Sequence, residues 1–320
     1  MKEAEFAGQR HLLTFWQLVT LLVMSTGIVA LSIDMMLPAL PAIGTDLSVA
    51  NVNDQQLVIT AFLIGFGVAQ LAYGPLSDSW GRKPVFLGAL VLYLAATLFC
   101  LTAWNFEILL VGRFLQGMSI AAARVIGTAI ARDLTSGRRM AQVVSMAMMV
   151  FMAVPVVAPS LGQAILLVFP WRWIFVFLLI AAAGLSVWLA FRLPETLHEE
   201  YRRKLDFMDS LRAYRESLRH RAMVGYMLAG ALFFGGLYGM LNTSEQLMAE
   251  HFSLGRFWTL AFAAMAACMA VTNFVNSRLV MRFGQRRLSQ AALIGFTAIS
   301  GGHTLLLLSG FDNVIVFMVL

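Results

Sequence analysis

Charge is scarce in this chain. Charged residues make up 12% of its 320 positions, against about 25% in an ordinary globular domain. So little charge cannot dress the water-facing surface of a soluble fold of this size. Cysteine is scarcer still: Cys100 and Cys268 lie far apart in long apolar runs and read as small core hydrophobes, not as a disulfide. There is no His/Cys/carboxylate spacing for a metal, no Gly-rich phosphate cradle and no nucleophile–base set. Those gaps leave no metal, no cofactor, no enzyme and no nucleotide-driven pump as the expectation. Nor does a small-residue cleavage site follow the first apolar run, which is too long for a signal-peptide core, so no cleaved leader is expected.

Apolar sequence is what the chain has. It is 60% apolar with a mean hydropathy of +0.78. A helix needs about 20 apolar residues to cross a bilayer. Runs near 15–43, 57–77, 84–103, 107–131, 142–168, 172–193, 222–247, 257–281 and 289–309 meet that length. A further run starts near Val314 and stops at Leu320, too short to span, so the chain is expected to be incomplete at its C-terminus. The expected fold is an all-α polytopic membrane protein with nine full spans and the start of a tenth.

The net charge of +6 is unevenly spread. Lys2, Arg10, Arg82, Lys83, Arg132, Arg138 and Arg139 fall in alternate loops, and so do the basic residues of 202–221 and 278–287. The opposite loops hold only Arg172 and Arg256, beside Asp46, Asp54, Glu107, Glu250 and Asp312. By the positive-inside rule the N-terminus and the 194–221 loop are cytoplasmic. The basic excess is thus topology, and the expected partner is a bilayer, not nucleic acid; a monomer is expected.

The longest polar interval, Pro194 to His220, divides the chain into a six-helix bundle at 1–193, a linker at 194–221 and a partial second bundle at 222–320. Its alternating charges suit a solvated amphipathic helix. Gly74 to Lys83, after the second run, is echoed by Ser277 to Arg286 after the eighth. Gly81 aligns with Gly284, and Met281 stands where the first copy has Asp78. Parallel repeats of this kind occur in transporters whose site lies between two bundles.

Asp34 is the sharpest single feature. A carboxylate in hydrocarbon costs roughly 2.5–3.5 kcal/mol on insertion scales, which makes it a functional candidate whose partner should lie in the membrane. Arg113 is eight residues into the fourth run from Asn105, roughly 12 Å; Asp34 is ten residues from Gly44, roughly 15 Å. The matching depth predicts an Asp34–Arg113 pair, with Gln116 on the face of Arg113 at i+3. A contact that forms and breaks would let the carboxyl exchange its proton, and substrate would compete for the same cavity. The alternative is a static ion pair that fixes helix packing.

In the loop, Gly74 and Gly81 permit close approach and a tight turn. Asp78 is an acceptor that Arg82 and Lys83 can bridge, a cluster able to lock two helices in one state and release them in another. The alternative is a plain basic turn at the membrane surface.

These residues carry a resemblance. Gly74-x-Leu76-x-Asp78-x-x-Gly81-Arg82-Lys83 resembles the signature loop of the major facilitator superfamily, Leu109-x-x-x-Arg113-x-x-Gln116-Gly117 its fourth-helix motif, and Ala158-Pro159-x-x-Gly162 its antiporter motif. More narrowly, Asp34-x-x-Leu37-Pro38-x-Leu40-Pro41, Arg132-Asp133, Trp171-Arg172-x-Ile174-Phe175 and Leu193-Pro194-Glu195-Thr196 resemble the Bcr/CflA drug-resistance subfamily. The resemblance implies a major-facilitator-type fold of two six-helix bundles, the second incomplete here, and proton-driven export of small, often amphipathic compounds across a bacterial inner membrane. Some members carry a second acidic residue in the first helix, where this chain has Thr26.

Further candidates are weaker. Arg124, eleven residues after Arg113, either faces a cavity or snorkels to the surface. Pro155, Pro159 and Gly162 form a stripe that bends a helix, and Met148 and Met152 continue that face as adaptable contacts or as packing. Tyr238 and Asn242 are possible substrate contacts, and His303 reads as packed. Phe169, Trp171, Trp173 and Phe175 suggest an interfacial aromatic belt. Three readings stay open: a proton-coupled exporter, a facilitator or metabolite exporter without coupling, and a non-transporting membrane protein.

Overall fold

The computed structural model describes residues 13–202, 205–246 and 285–309, with single positions 268, 272, 275, 279 and 283 between them. Among the described residues there is helix and no strand. The long helices are α1 (Phe15–Asp34), α3 (Leu57–Trp80), α4 (Arg82–Leu101), α5 (Phe106–Leu134), α6 (Gly137–Leu166), α7 (Arg172–Arg192), α9 (Arg221–Gln246) and α10 (Gln285–Leu308). Two shorter ones, α2 (Leu40–Asp46) and α8 (Phe207–Arg219), sit between them. Helix ends fall within a few residues of the apolar runs. The run near 257–281, most of the echo at 277–286 and the run from Val314 lie outside the described residues. Two compact units result, Met1–Tyr238 and Gly239–Leu320; α10 belongs to the second.

Local chemistry sets the boundaries. Thr14 and Gln17 form a reciprocal capping box at the start of α1. Asn105 opens α5 by accepting from the Ile108 N–H at 2.8 Å, and Asp206 opens α8 through the N–H groups of Met208 and Asp209.

The first apolar run departs from the expectation of one helix over 15–43. Helix α1 stops at Asp34, a 3₁₀ turn covers Leu37–Ala39, and α2 resumes at Leu40. Proline is the cause: Pro38 has no N–H for the Asp34 carbonyl and Pro41 none for that of Leu37. The Met36 N–H bonds the Ile33 carbonyl at 3.3 Å, tightening the last turn and leaving the Ser32 carbonyl without its usual donor. Asp34 therefore marks a break in the helix, not its interior.

Five of the described helical segments are long and apolar enough to cross a membrane. Burial ranks them: Phe15–Asp46 is 72% buried over its most apolar window and Phe106–Leu134 61%, against 28% for Val52–Trp80. The two best-buried segments are those carrying Asp34 and Arg113. Helix α5 packs against α1, α3 and α4, while α6 lies along α1. At Gly162 of α6 a Cβ would collide with the Met35 carbonyl and crowd Pro38 Cγ, so α6 meets α1 at its break.

Candidate functional site

Arg113 is fully buried, and each nitrogen of its guanidinium donates. Nε reaches the Val58 carbonyl at 3.1 Å, Nη1 the Gln116 Oε1 at 2.6 Å, and Nη2 the Ser32 carbonyl at 2.9 Å. The group also lies 4.5 Å from the centre of the Phe62 ring, a cation–π contact. A buried polar chain continues from Gln116: its Nε2 donates to Thr97 Oγ1 at 2.8 Å, and Thr97 donates to the Tyr93 carbonyl at 2.7 Å. The Tyr93 hydroxyl meets Ser32 Oγ at 2.6 Å, which closes the network back onto α1.

Asp34 stands beside this network but outside it. Its side chain is buried, and Oδ1 has no hydrogen-bond partner among the described residues. The expected Asp34–Arg113 pair is not formed. The guanidinium instead takes the Ser32 carbonyl, two residues before Asp34, which the tightened end of α1 leaves free. Sequence depth placed the two charges at one level, but the helix break decides which group on α1 faces α5.

The Gly74–Lys83 loop is tied by a second cluster. Arg82 is its hub: Nη1 contacts Asp78 Oδ1 and Ser77 Oγ, and Nε contacts Asp133 Oδ2 at 3.1 Å. Glu195 covers the start of α4, accepting from the backbone N–H of Arg82 at 2.9 Å and of Lys83 at 3.2 Å. The same carboxylate accepts from the N–H groups of Thr196 and Leu197. Lys83 Nζ donates to the Ala190 carbonyl at 2.9 Å and takes no part in bridging Asp78. Gly81 is required twice over: its φ is +99°, and a Cβ would lie 2.5 Å from Glu195 Oε2. Around Gly74, by contrast, no neighbour among the described residues comes within 4 Å of a Cβ, so close approach is not its reason.

Glu195→Ala is expected to orphan these four donors and remove a negative charge from a helix N-terminus. The cost should be about 1–3 kcal/mol, read from thermal unfolding in detergent. Glu195→Gln keeps an acceptor and should lose less.

The other candidates separate. Pro159 and Gly162 are buried, Gly162 against the break in α1, and Arg124 is half-buried on α5. The side chains of Met148, Met152, Pro155, Tyr238 and Asn242 lie outside the described residues. The aromatic belt is half core: Trp171 and Phe175 are buried, while Phe169 and Trp173 are exposed and stacked on each other. Trp171 Nε1 and Arg172 both hold Asp46, and Arg172 also reaches the Ala103 carbonyl.

Sequence reading missed Ser32, Tyr93 and Thr97. Tyr93 and Thr97, at i and i+4 in an apolar run, were the available signal. Asp133 and Glu195 stood within quoted motifs without a role.

Compared with known proteins, the chain matches the Major Facilitator Superfamily over residues 22–320. It belongs to that superfamily. It is 31% identical over 270 residues to the "Bicyclomycin resistance protein homolog" of Haemophilus influenzae, covering 82% of this chain and 66% of that protein. It is 34% identical over 246 residues to the "Multidrug resistance protein MdtL" of Escherichia fergusonii, covering 75% of this chain and 61% of that protein. The chain thus spans less than two thirds of the length of these relatives. They agree with the narrower Bcr/CflA resemblance. In fold it is similar to a bacterial homolog of the human lysosomal transporter Spinster, solved inward-facing and unoccupied. That likeness has a TM-score of 0.63 at 18% identity and covers 85% of this chain and 64% of that one. The protein is a multi-pass membrane protein of a transporter family.

Proposed function

We propose that the protein exports small, amphipathic, drug-like compounds in exchange for protons, by alternating access across a bacterial inner membrane. The observation that carries this reading is Asp34, a buried carboxyl at a break in α1 whose Oδ1 has no partner among the described residues. A carboxyl so placed exchanges its proton only when its surroundings change, and rearrangement at the Pro38–Pro41 break is the change available. Arg113, bonded two residues away, is the group whose shift would alter the setting of Asp34. The drug-resistance names of the relatives support the substrate class.

Loop charge supports a cytoplasmic N-terminus and a cytoplasmic 194–221 segment. The Arg82 cluster, tying the α3–α4 turn to Asp133 and Glu195, serves as the element that holds one state. The protein works as a monomer, with protons and a small molecule as its partners.

A second reading, a facilitator without coupling, draws on Arg113: all three of its nitrogens are engaged by neutral acceptors, as in a structural brace. Flux of a lipophilic dye in proteoliposomes distinguishes the two. Coupled export predicts uphill movement with an imposed pH gradient and none without it. Equal downhill flux in both conditions would favour the facilitator.

A further inference from the structure

Helix α8 carries two parallel stripes. Leu211, Tyr214 and Leu218 recur at i, i+3 and i+7, and Arg212, Arg215 and Arg219 repeat the spacing one residue later. An apolar ridge therefore runs beside a basic ridge along the whole helix. Leu211 and Leu218 are 51% and 57% exposed. Arg212, Arg215, Arg219 and Arg221, with Glu216 and His220, line an open cavity of about 790 Å³. Arg212 pairs with Asp209 at 3.0 Å, and Glu216 is the other acidic residue of 207–221, so the four arginines outnumber the carboxylates by two.

One hydrogen bond ties the helix to α3. The Tyr214 hydroxyl donates to the Leu71 carbonyl at 2.6 Å. Leu71 lies nine residues before the end of α3, inside the candidate span Val52–Trp80. That carbonyl needs an outside donor because Pro75, four residues on, has no N–H to offer it. Burial and the nearby Asp78 charge push the Tyr214 phenol above its usual value, in keeping with a docked side chain. The bond holds Tyr214 of α8 beside α3 at a point nine residues, or roughly 14 Å, before the end of that span-length helix.

We propose that α8 is an interfacial helix that binds an anionic phospholipid surface, its leucine ridge among acyl chains and its arginine ridge on the phosphates. Charge complementarity and the contact with a candidate span choose this occupant: exposed apolar side chains flanked by arginine suit the headgroup–acyl boundary. The inference rests on membrane embedding and is independent of proton coupling.

The test purifies the full protein from vesicles of phosphatidylethanolamine with phosphatidylglycerol and measures the retained lipids by mass spectrometry. Wild type should enrich phosphatidylglycerol over the bulk ratio by at least about threefold. The triple variant Arg212→Gln, Arg215→Gln, Arg219→Gln should fall to the bulk ratio with its thermal unfolding unchanged. Leu211→Ser with Leu218→Ser should also lose lipid, and Tyr214→Phe should weaken retention while leaving every arginine in place. Glycerol phosphate, added as a soluble competitor, should not displace the lipid. Bulk-ratio retention by wild type would overturn the proposal, as would undiminished enrichment in the folded triple variant. So would a protein dimer that buries the helix and excludes lipid. A transport-dead protein that still enriches phosphatidylglycerol would count against the export reading alone.

Discussion

In an Asp34→Asn variant, substrate-driven proton movement in proteoliposomes should fall to the level of protein-free vesicles. The amide keeps the size and shape of the carboxyl and removes the exchangeable proton. No neighbour on α1 can stand in, because Asp34 is the only ionisable residue of that helix. From Phe15 to Arg192 the remaining acidic residues are Asp46, Asp54, Asp78, Glu107 and Asp133, each in a loop or at a helix end. Among the described residues Oδ1 has no hydrogen bond to lose, so the unfolding midpoint should move little. That separation of readouts is what distinguishes a carrier from a packing residue. A variant that still couples would remove Asp34 from the mechanism. One that unfolds early would make Asp34 part of the scaffold.

How much of this was legible in the sequence follows from what one dimension records. Hydropathy located α3 to α7 and α9 to within a few residues, because span length is a bilayer property carried by local composition. Rise per residue likewise placed Asp34 and Arg113 at one depth. Azimuth was not legible: which group of α1 faces α5 depends on the break that Pro38 and Pro41 impose. Both prolines were in view, yet their effect on the Ser32 carbonyl needed the three-dimensional turn. The Arg82 cluster was legible only in its local half. Asp78 lies four residues from Arg82, whereas Asp133 and Glu195 arrive from 51 and 113 residues away. Of the aromatic run at 169–175 only Phe169 and Trp173 are exposed as a belt requires, because composition alone does not tell the buried face of a helix from the exposed one.

Arg113→Lys keeps the charge and should still lower turnover by at least about tenfold, because the charge is not the whole function of this side chain. The guanidinium bonds acceptors on three helices at once, at Val58, Ser32 and Gln116. A lysine ammonium presents donors from a single atom and cannot span that set. Losing even one such buried bond is worth about 1–3 kcal/mol, and about 1.4 kcal/mol in a barrier is a factor of ten. Arg113→Met tests the other half. It orphans the Ser32 carbonyl and the Gln116 amide oxygen, but it also relieves the several kcal/mol spent burying a cation with no carboxylate partner. These opposing terms are of similar size, so the methionine variant should unfold near the wild-type temperature while transport is abolished. A stability-neutral loss of transport shows that the buried cation is kept for movement and not for packing. If instead the lysine variant turns over like wild type, the three-way brace is irrelevant to the cycle, and Arg113 acts only as a fixed positive charge near Asp34.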